Sequence, residues 1–384
     1  MKNFNLILTI LVFSFHILIA ASSDPVFGEN GMIVSTSKQA SEAGIEILKK
    51  GGNAVDAAVA VGFALAVTSS SNGNIGGGGF MVAAMTDGET FTLDYREKAP
   101  AAAHRDLFLN DSGNVVPGMS LFSRAGSGVP GTVDGLIRAL ADHGSGNITL
   151  RQALAPAIRL AEKGFELSHY EARRFNGYEG LFQSNDAAAA IFIRKDNNPW
   201  KKGDKLVQRD LAKTLKRISK YGRDGFYTGP VADLIVAEMK RGNGLISLED
   251  LKNYLSVYRD PVSGTYNGHE VISMGPPSSG GALLVNMMNM LENYPVDSLG
   301  WNSSDYIHLL TEVERRAYAD RAEHMGDSDF WDVPLDLLTS KEYANARIKD
   351  ISLKIATPSS AVFASGAPGY ESRETTHYSV VDQW

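Results

Sequence analysis

The sequence predicts a mixed α+β fold organised as one domain. Three observations carry that expectation. Residues 37–68 show two successive helical patterns, residues 80–95 show two strand-like stretches around a turn, and residues 120–350 return to mostly helical periodicity. No internal repeat, low-complexity tract or linker divides the chain, and 384 residues allow either one large domain or two ordinary ones.

The first helical segment places Ile45 and Leu48 on one face and ends at Gly51, where a glycine can take the left-handed conformation. The second opens at Asn53 with Asp56 three residues on, a capping-box arrangement, and then runs apolar almost all round. A helix with no polar face is expected to be buried. Phe80 to Met85 and Thr90 to Tyr95 read as strands, with Asp87-Gly88 supplying the positive φ angles of a tight hairpin. Arg96 therefore leaves a strand end close in sequence to the loop Gly76-Gly77-Gly78-Gly79. Beyond residue 120, loops are expected at GSGVPG (126–131), DGFYTGP (224–230) and GPPSSGG (275–281).

Composition narrows the class. With 43% hydrophobic and 21% charged residues the chain is globular, neither disordered nor fibrous. A net charge of −7 argues against a nucleic-acid partner, since such proteins gather Lys and Arg on one face. Lys2, the apolar run Leu6 to Ala21 and the small residues after it read as a secretory signal peptide over residues 1–22. Thr9, Ser14 and His16 interrupt that run, which falls short of the ~18 apolar residues of a spanning helix, so a membrane anchor is the second reading. Secretion or a periplasmic location follows, with a mature chain expected to begin between Ala21 and Asp24. The chain has no cysteine, so neither disulfides nor a cysteine nucleophile is available.

Several stretches invite chemistry. The four-glycine loop resembles a phosphate cradle, but no G-K-[ST] follows and the order helix, loop, strand is the reverse of the nucleotide motifs. It reads as a close-packing device where backbone approaches a ligand. Pro277-Ser278-Ser279-Gly280 lacks the spacing of a nucleophile elbow and reads as a turn. His324, Asp327 and Asp329 lack the spacing of a metal site and read as a helix end with a polar loop, so neither metal nor cofactor is expected. Arg96 is either an ion-paired surface arginine or a two-pronged clamp for a carboxylate. In TTHYSVV, residues 375–381, polar and apolar positions alternate as in a half-buried strand. Thr375 is then an ordinary strand residue, or a nucleophile made by cleavage after Glu374. A threonine at a chain start carries its own general base, because a free α-amino group has a pKa near 8.

Eight segments, in order, decide between these readings: KKGGNAVDAAVA (49–60), NIGGGGFM (74–81), DYREKAP (94–100), GVPGTVDG (128–135), ISLEDLKNY (246–254), GPPSSGG (275–281), RRAYADRAEHMGDSDF (315–330) and TTHYSVVD (375–382). Together they resemble the γ-glutamyltranspeptidase family, also called glutathione hydrolase, of the N-terminal-nucleophile hydrolase superfamily. The resemblance implies a four-layer αββα sandwich. It implies self-cleavage between Glu374 and Thr375, Thr375 as the nucleophile that attacks the γ-glutamyl carbonyl, and Arg96 as the ligand of the donor's α-carboxylate. Donors would be glutathione and other γ-glutamyl compounds, and acceptors water, an amino acid or a dipeptide.

In that family a second subunit runs far beyond the nucleophile and supplies further binding residues and the oxyanion glycines, whereas here nine residues follow Thr375. The expectation is therefore a large-subunit region, residues 24–374, with residues 375–384 as the start of a small subunit. The sandwich would then be incomplete, and a separate small subunit would be the heterodimer partner. A non-catalytic subunit, a secreted γ-glutamyl-binding protein and an amidase like the similar cephalosporin acylases are the other readings.

Overall fold

The computed structural model describes residues 25–362 and 376–384. The expected signal peptide, Glu374 and Thr375 lie outside the described residues, and among those described no helix is long and apolar enough to cross a membrane.

Strand β1 (Met32–Val34) leads into helices α1 (Lys38–Leu48) and α2 (Ala54–Thr68). The Ser37 side chain caps α1 by accepting from the Ala40 N–H, and its buried face is Ala40, Ala43, Gly44 and Ile47. Ile45 and Leu48, expected on that face, are half-buried beside it. Gly44 permits the close crossing of α2, since a Cβ there would stand 2.6 Å from Val61 Cγ2. Helix α2 has the expected capping box, with the Asn53 N–H donating to Asp56 Oδ2 at 2.9 Å. It is buried nearly all round, and each enclosed Val, Leu or Phe contributes about 1.5–3 kcal/mol of transfer free energy. Helices α3 (Thr132–His143), α4 (Leu150–Lys163) and α5 (Arg209–Tyr221) complete this main core.

Strands β2 (Phe80–Ala84) and β3 (Thr90–Asp94) form the expected hairpin, pairing Phe80 with Asp94. Gly88 takes a positive φ of 89°, but Asp87 does not, and its carboxylate instead accepts the Glu89 N–H at 3.0 Å. On the other edge of β3 lies β4 (Val257–Arg259), antiparallel, with Leu93 opposite Tyr258. That strand, and the hairpin of β5 (Val262–Tyr266) and β6 (His269–Ser273), fall in a region the sequence pattern had as helical. Asn267 and Gly268 turn the hairpin with φ of 48° and 81°. Helices α6 (Gly280–Leu291) and α7 (Ser304–His324) carry a second apolar cluster around Leu283, Met290, Leu309 and Val313. The Ser278-Ser279 turn lies at the start of α6, and Asp329, past the end of α7, is held by the Arg259 fork at 2.9 Å.

The last strand, β7 (Ser379–Val381), pairs antiparallel with the first: Met32 faces Val381 and Val34 faces Ser379. It is shorter than the stretch expected from residue 375, though the alternation of half-buried and exposed positions runs through residues 376–381. Just beyond it, Asp382 Oδ2 accepts the Ala54 N–H at 2.7 Å, placing a carboxylate at the positive end of α2.

Candidate functional site

Arg96 follows β3 directly, and its backbone is held on both sides. Asp94, the last residue of β3, accepts the Arg96 N–H at 2.9 Å through Oδ1 and the Arg259 Nε–H at 2.7 Å through Oδ2. The phenol of Tyr254 donates to the Arg96 carbonyl at 2.7 Å. The glycine loop lies against the same segment. A Cβ on Gly78 would stand 2.5 Å from the Tyr95 carbonyl oxygen and 2.7 Å from the Glu97 nitrogen, so a side chain there would part the two backbones. The Gly77 carbonyl accepts from Gly131 N at 2.8 Å and Thr132 N at 3.0 Å, tying in the start of α3.

The Arg96 side chain reaches outward, 58% exposed, with its guanidinium carbon 5.6 Å from the Phe80 ring centroid and Nε 3.3 Å from Glu97 Oε2. Such an exposed ion pair contributes about 0–1 kcal/mol, so a ligand carboxylate can compete for the fork. Beside it a cavity of about 340 Å³ is lined by Gly77 to Gly79, Phe80, Tyr95 and Glu97 on one side and by Thr376, His377 and Tyr378 on the other. Arg96 itself is not among the lining residues; the ring beneath its guanidinium and the carboxylate beside it are. Thr376 also borders a larger cavity of about 750 Å³ floored by Phe175, Phe182 and Phe192, and its Oγ1 lies 3.1 Å from Thr36 Oγ1. The chain immediately after Thr375 is thus seated between two ligand-sized spaces.

Tyr95 and Tyr378 both line the smaller cavity, and the Tyr95 phenol donates to the Phe80 carbonyl at 3.3 Å. Burial pushes Tyr95 up to about 12 against an opposing pull from the Tyr378 hydroxyl, and burial together with Tyr95 raises Tyr378 as well. A phenol whose folded pKa exceeds its unfolded value near 10 stabilises the fold fully below pH 10, and that contribution is lost as pH rises from about 10 to about 12. Denaturant unfolding between pH 9 and pH 12 is expected to show a fall that Tyr95→Phe makes shallower by about 2–3 kcal/mol. An identical pH slope in the variant would show that Tyr95 ionises freely.

The geometry adds the residues after Thr375 to the glycine loop and the Arg96 segment, which the sequence reading already places near each other. It adds Asp94, Tyr95, Tyr254 and Tyr378, none of which was singled out from the sequence. Gly131 carried a signal for Tyr254, because a Cβ on that glycine would collide with the Tyr254 phenol and the Tyr95 carbonyl. Glu374 and Thr375 remain outside the described residues.

The model of the gamma-glutamyltranspeptidase family matches residues 40–384. The chain is 45% identical over 359 residues to the glutathione hydrolase proenzyme of Escherichia coli (strain K12), covering 94% of this chain and 62% of that protein. It is 36% identical over 370 residues to the acylase ACY 1 proenzyme of Pseudomonas sp. (strain SE83), covering 93% of this chain and 64% of that protein. The crystal structure of Helicobacter pylori gamma-glutamyltranspeptidase superposes with a TM-score of 0.86 at 43% identity, covering 91% of this chain and 100% of the solved one. The chain therefore spans a little under two thirds of the length of these curated relatives.

Proposed function

Because the chain belongs to the γ-glutamyltranspeptidase family, we propose that it serves γ-glutamyl acyl transfer, with glutathione and other γ-glutamyl compounds as donors. The observation that supports this most is the convergence of the glycine loop, the Arg96 segment and Thr376 around one cavity. In this reading the Thr375 hydroxyl first attacks the Glu374 carbonyl, and water releases the new chain start. The freed α-amino group then takes the Thr375 hydroxyl proton as Oγ attacks the donor's γ-carbonyl. The leaving amine takes up that proton, a γ-glutamyl ester stays on Thr375, and water or the amine of an amino acid or dipeptide accepts the acyl group. Arg96 grips the donor's α-carboxylate through its two-pronged fork. Export to the periplasm or medium, and a heterodimer with a small subunit, belong to the same proposal.

Two expressed forms test it: residues 1–384 alone, and the same chain supplied, fused or separately, with the remaining length of the family. Only the second is expected to be cut between Glu374 and Thr375 and to hydrolyse a γ-glutamyl anilide. Self-cleavage needs a strained, packed turn and donors for the developing oxyanion, each donor worth roughly 3–4 kcal/mol. In the active form Arg96→Lys is expected to weaken donor binding by about 1.5–3 kcal/mol with assembly intact, because a point charge cannot replace the fork. Cleavage and turnover by the chain alone overturn the need for the second subunit. An unchanged donor kcat/KM in Arg96→Lys overturns the carboxylate role. Similarity to an acylase proenzyme favours one second reading, transfer of a different acyl group, in which Arg96→Lys leaves turnover of the preferred amide unaltered.

A further inference from the structure

The guanidinium of Arg96 is exposed, but the peptide that carries it is anchored in the core by two buried side chains, Asp94 on its N–H and Tyr254 on its carbonyl. Tyr254 is 2% exposed, and its phenol donates to the Arg96 carbonyl across 158 residues of sequence at 2.7 Å. The tyrosine has little freedom of its own. Its ring lies parallel to that of Tyr227, 5.8 Å between centroids and 4° between planes, and Tyr227 in turn donates to the Pro130 carbonyl at 2.8 Å. The Tyr254 carbonyl is bonded by the Arg223 guanidinium, which also grips Asp134 at 2.8 Å. Asp134 then accepts from Ser256 N at 2.7 Å, so the chain on the C-terminal side of Tyr254 is fastened to α3. Gly131 leaves the space in which the phenol stands.

We propose that Tyr254 is a positioning residue for donor binding: by holding the Arg96 carbonyl, while Asp94 holds its N–H, it fixes the direction in which the guanidinium leaves the backbone. The proposal rests on the γ-glutamyl reading above for the identity of the ligand, and on the geometry alone for the anchoring. A fork that must meet two carboxylate oxygens at once tolerates errors of only about 0.5 Å or 10–20°. With the Tyr254 bond gone, Asp94 and the pairing of Tyr95 with Gly79 still hold the N-terminal side of Arg96, but its own carbonyl is released. The side chain itself touches the half-buried Phe80 ring, at 5.6 Å, and the exposed Glu97 carboxylate, an ion pair that restrains it weakly.

The test uses the protein in its active, two-subunit form, with Tyr254→Phe, Tyr227→Phe, Arg96→Lys and the Tyr254→Phe/Arg96→Lys double variant. Tyr254→Phe keeps the stacked ring and is expected to lower donor kcat/KM roughly three- to tenfold with kcat unchanged. Tyr227→Phe removes two buried hydrogen bonds, to the Pro130 carbonyl and from the Asp134 N–H, neither of which reaches Arg96, so it is expected to lower thermal stability at least as much and leave kcat/KM alone. In the double variant the two kinetic effects should not add, because one residue acts through the other. Equal kinetic losses in both tyrosine variants, or additive losses in the double one, overturn the proposal. If the parent protein turns over no γ-glutamyl donor, the acyl-transfer reading fails by itself. Tyr254 is then judged by the NMR order parameter of the Arg96 Nε–H, which should fall in Tyr254→Phe and hold in Tyr227→Phe; no change in either overturns the anchoring.

Discussion

Replacing Thr375 by alanine is expected to abolish both the cut after Glu374 and donor turnover, the latter by roughly four orders of magnitude or more. The two losses share one cause. Without Oγ1 there is no atom to attack the preceding carbonyl, and no atom on which to carry the acyl group. Thr376 cannot stand in: it does not follow the scissile peptide directly, and its own Oγ1 is engaged with Thr36 at 3.1 Å. Serine at position 375 keeps the oxygen and should keep a slow cut. Intact-mass analysis reads the cleavage and anilide release reads the turnover. A Thr375→Ala protein that still yields two chains would place the nucleophile elsewhere.

The largest expected loss of stability lies far from the site. Arg316 and Glu312, on successive turns of α7, are each 1% exposed and paired at 2.7 Å. Arg316 also reaches Asp350 at 2.8 Å, so α7 and the chain after residue 347 are joined through one guanidinium. Burial works to raise the Glu312 pKa, but hydrogen bonds from Thr357 and Arg316 outweigh it and bring the carboxyl down to about 2. Arg316→Ala removes the fork and leaves a buried carboxylate held by Arg315 and Thr357. The cost is expected to be about 3–5 kcal/mol, read by urea unfolding at pH 7. Most of that cost is a buried charge that has lost one of its two guanidinium partners, so a double replacement, Arg316→Met with Glu312→Leu, should recover much of it. A loss below about 1 kcal/mol in Arg316→Ala would mean that water reaches the pair.

Much of the local structure was legible because its signals repeat over a few residues. The capping box at Asn53 and Asp56, the burial of α2 and the turn at Gly88 each follow from neighbours three or four positions apart. The hairpin of β5 and β6 was missed although Asn267-Gly268 announces it. Gly264 breaks the strand pattern, and only the fold explains that glycine: a Cβ there would stand 2.5 Å from Val285 Cγ1 on α6. Arg96 was legible as a strand-end arginine, and the structure shows the ion-paired surface arginine of the two expectations, with Glu97 as its partner.

The sequence by itself determined the class of fold, the family and the two residues on which the chemistry is proposed, because local periodicity and motif order are written in adjacent positions. Tertiary structure alone decided what those residues stand beside. The pairing of β1 with β7 joins Met32 to Val381, and the hydrogen bond from Tyr254 to Arg96 spans 158 positions. A single side chain reaching one distant carbonyl leaves no periodic trace, since its partner is selected by how helices and strands pack and not by what lies next to it in the chain.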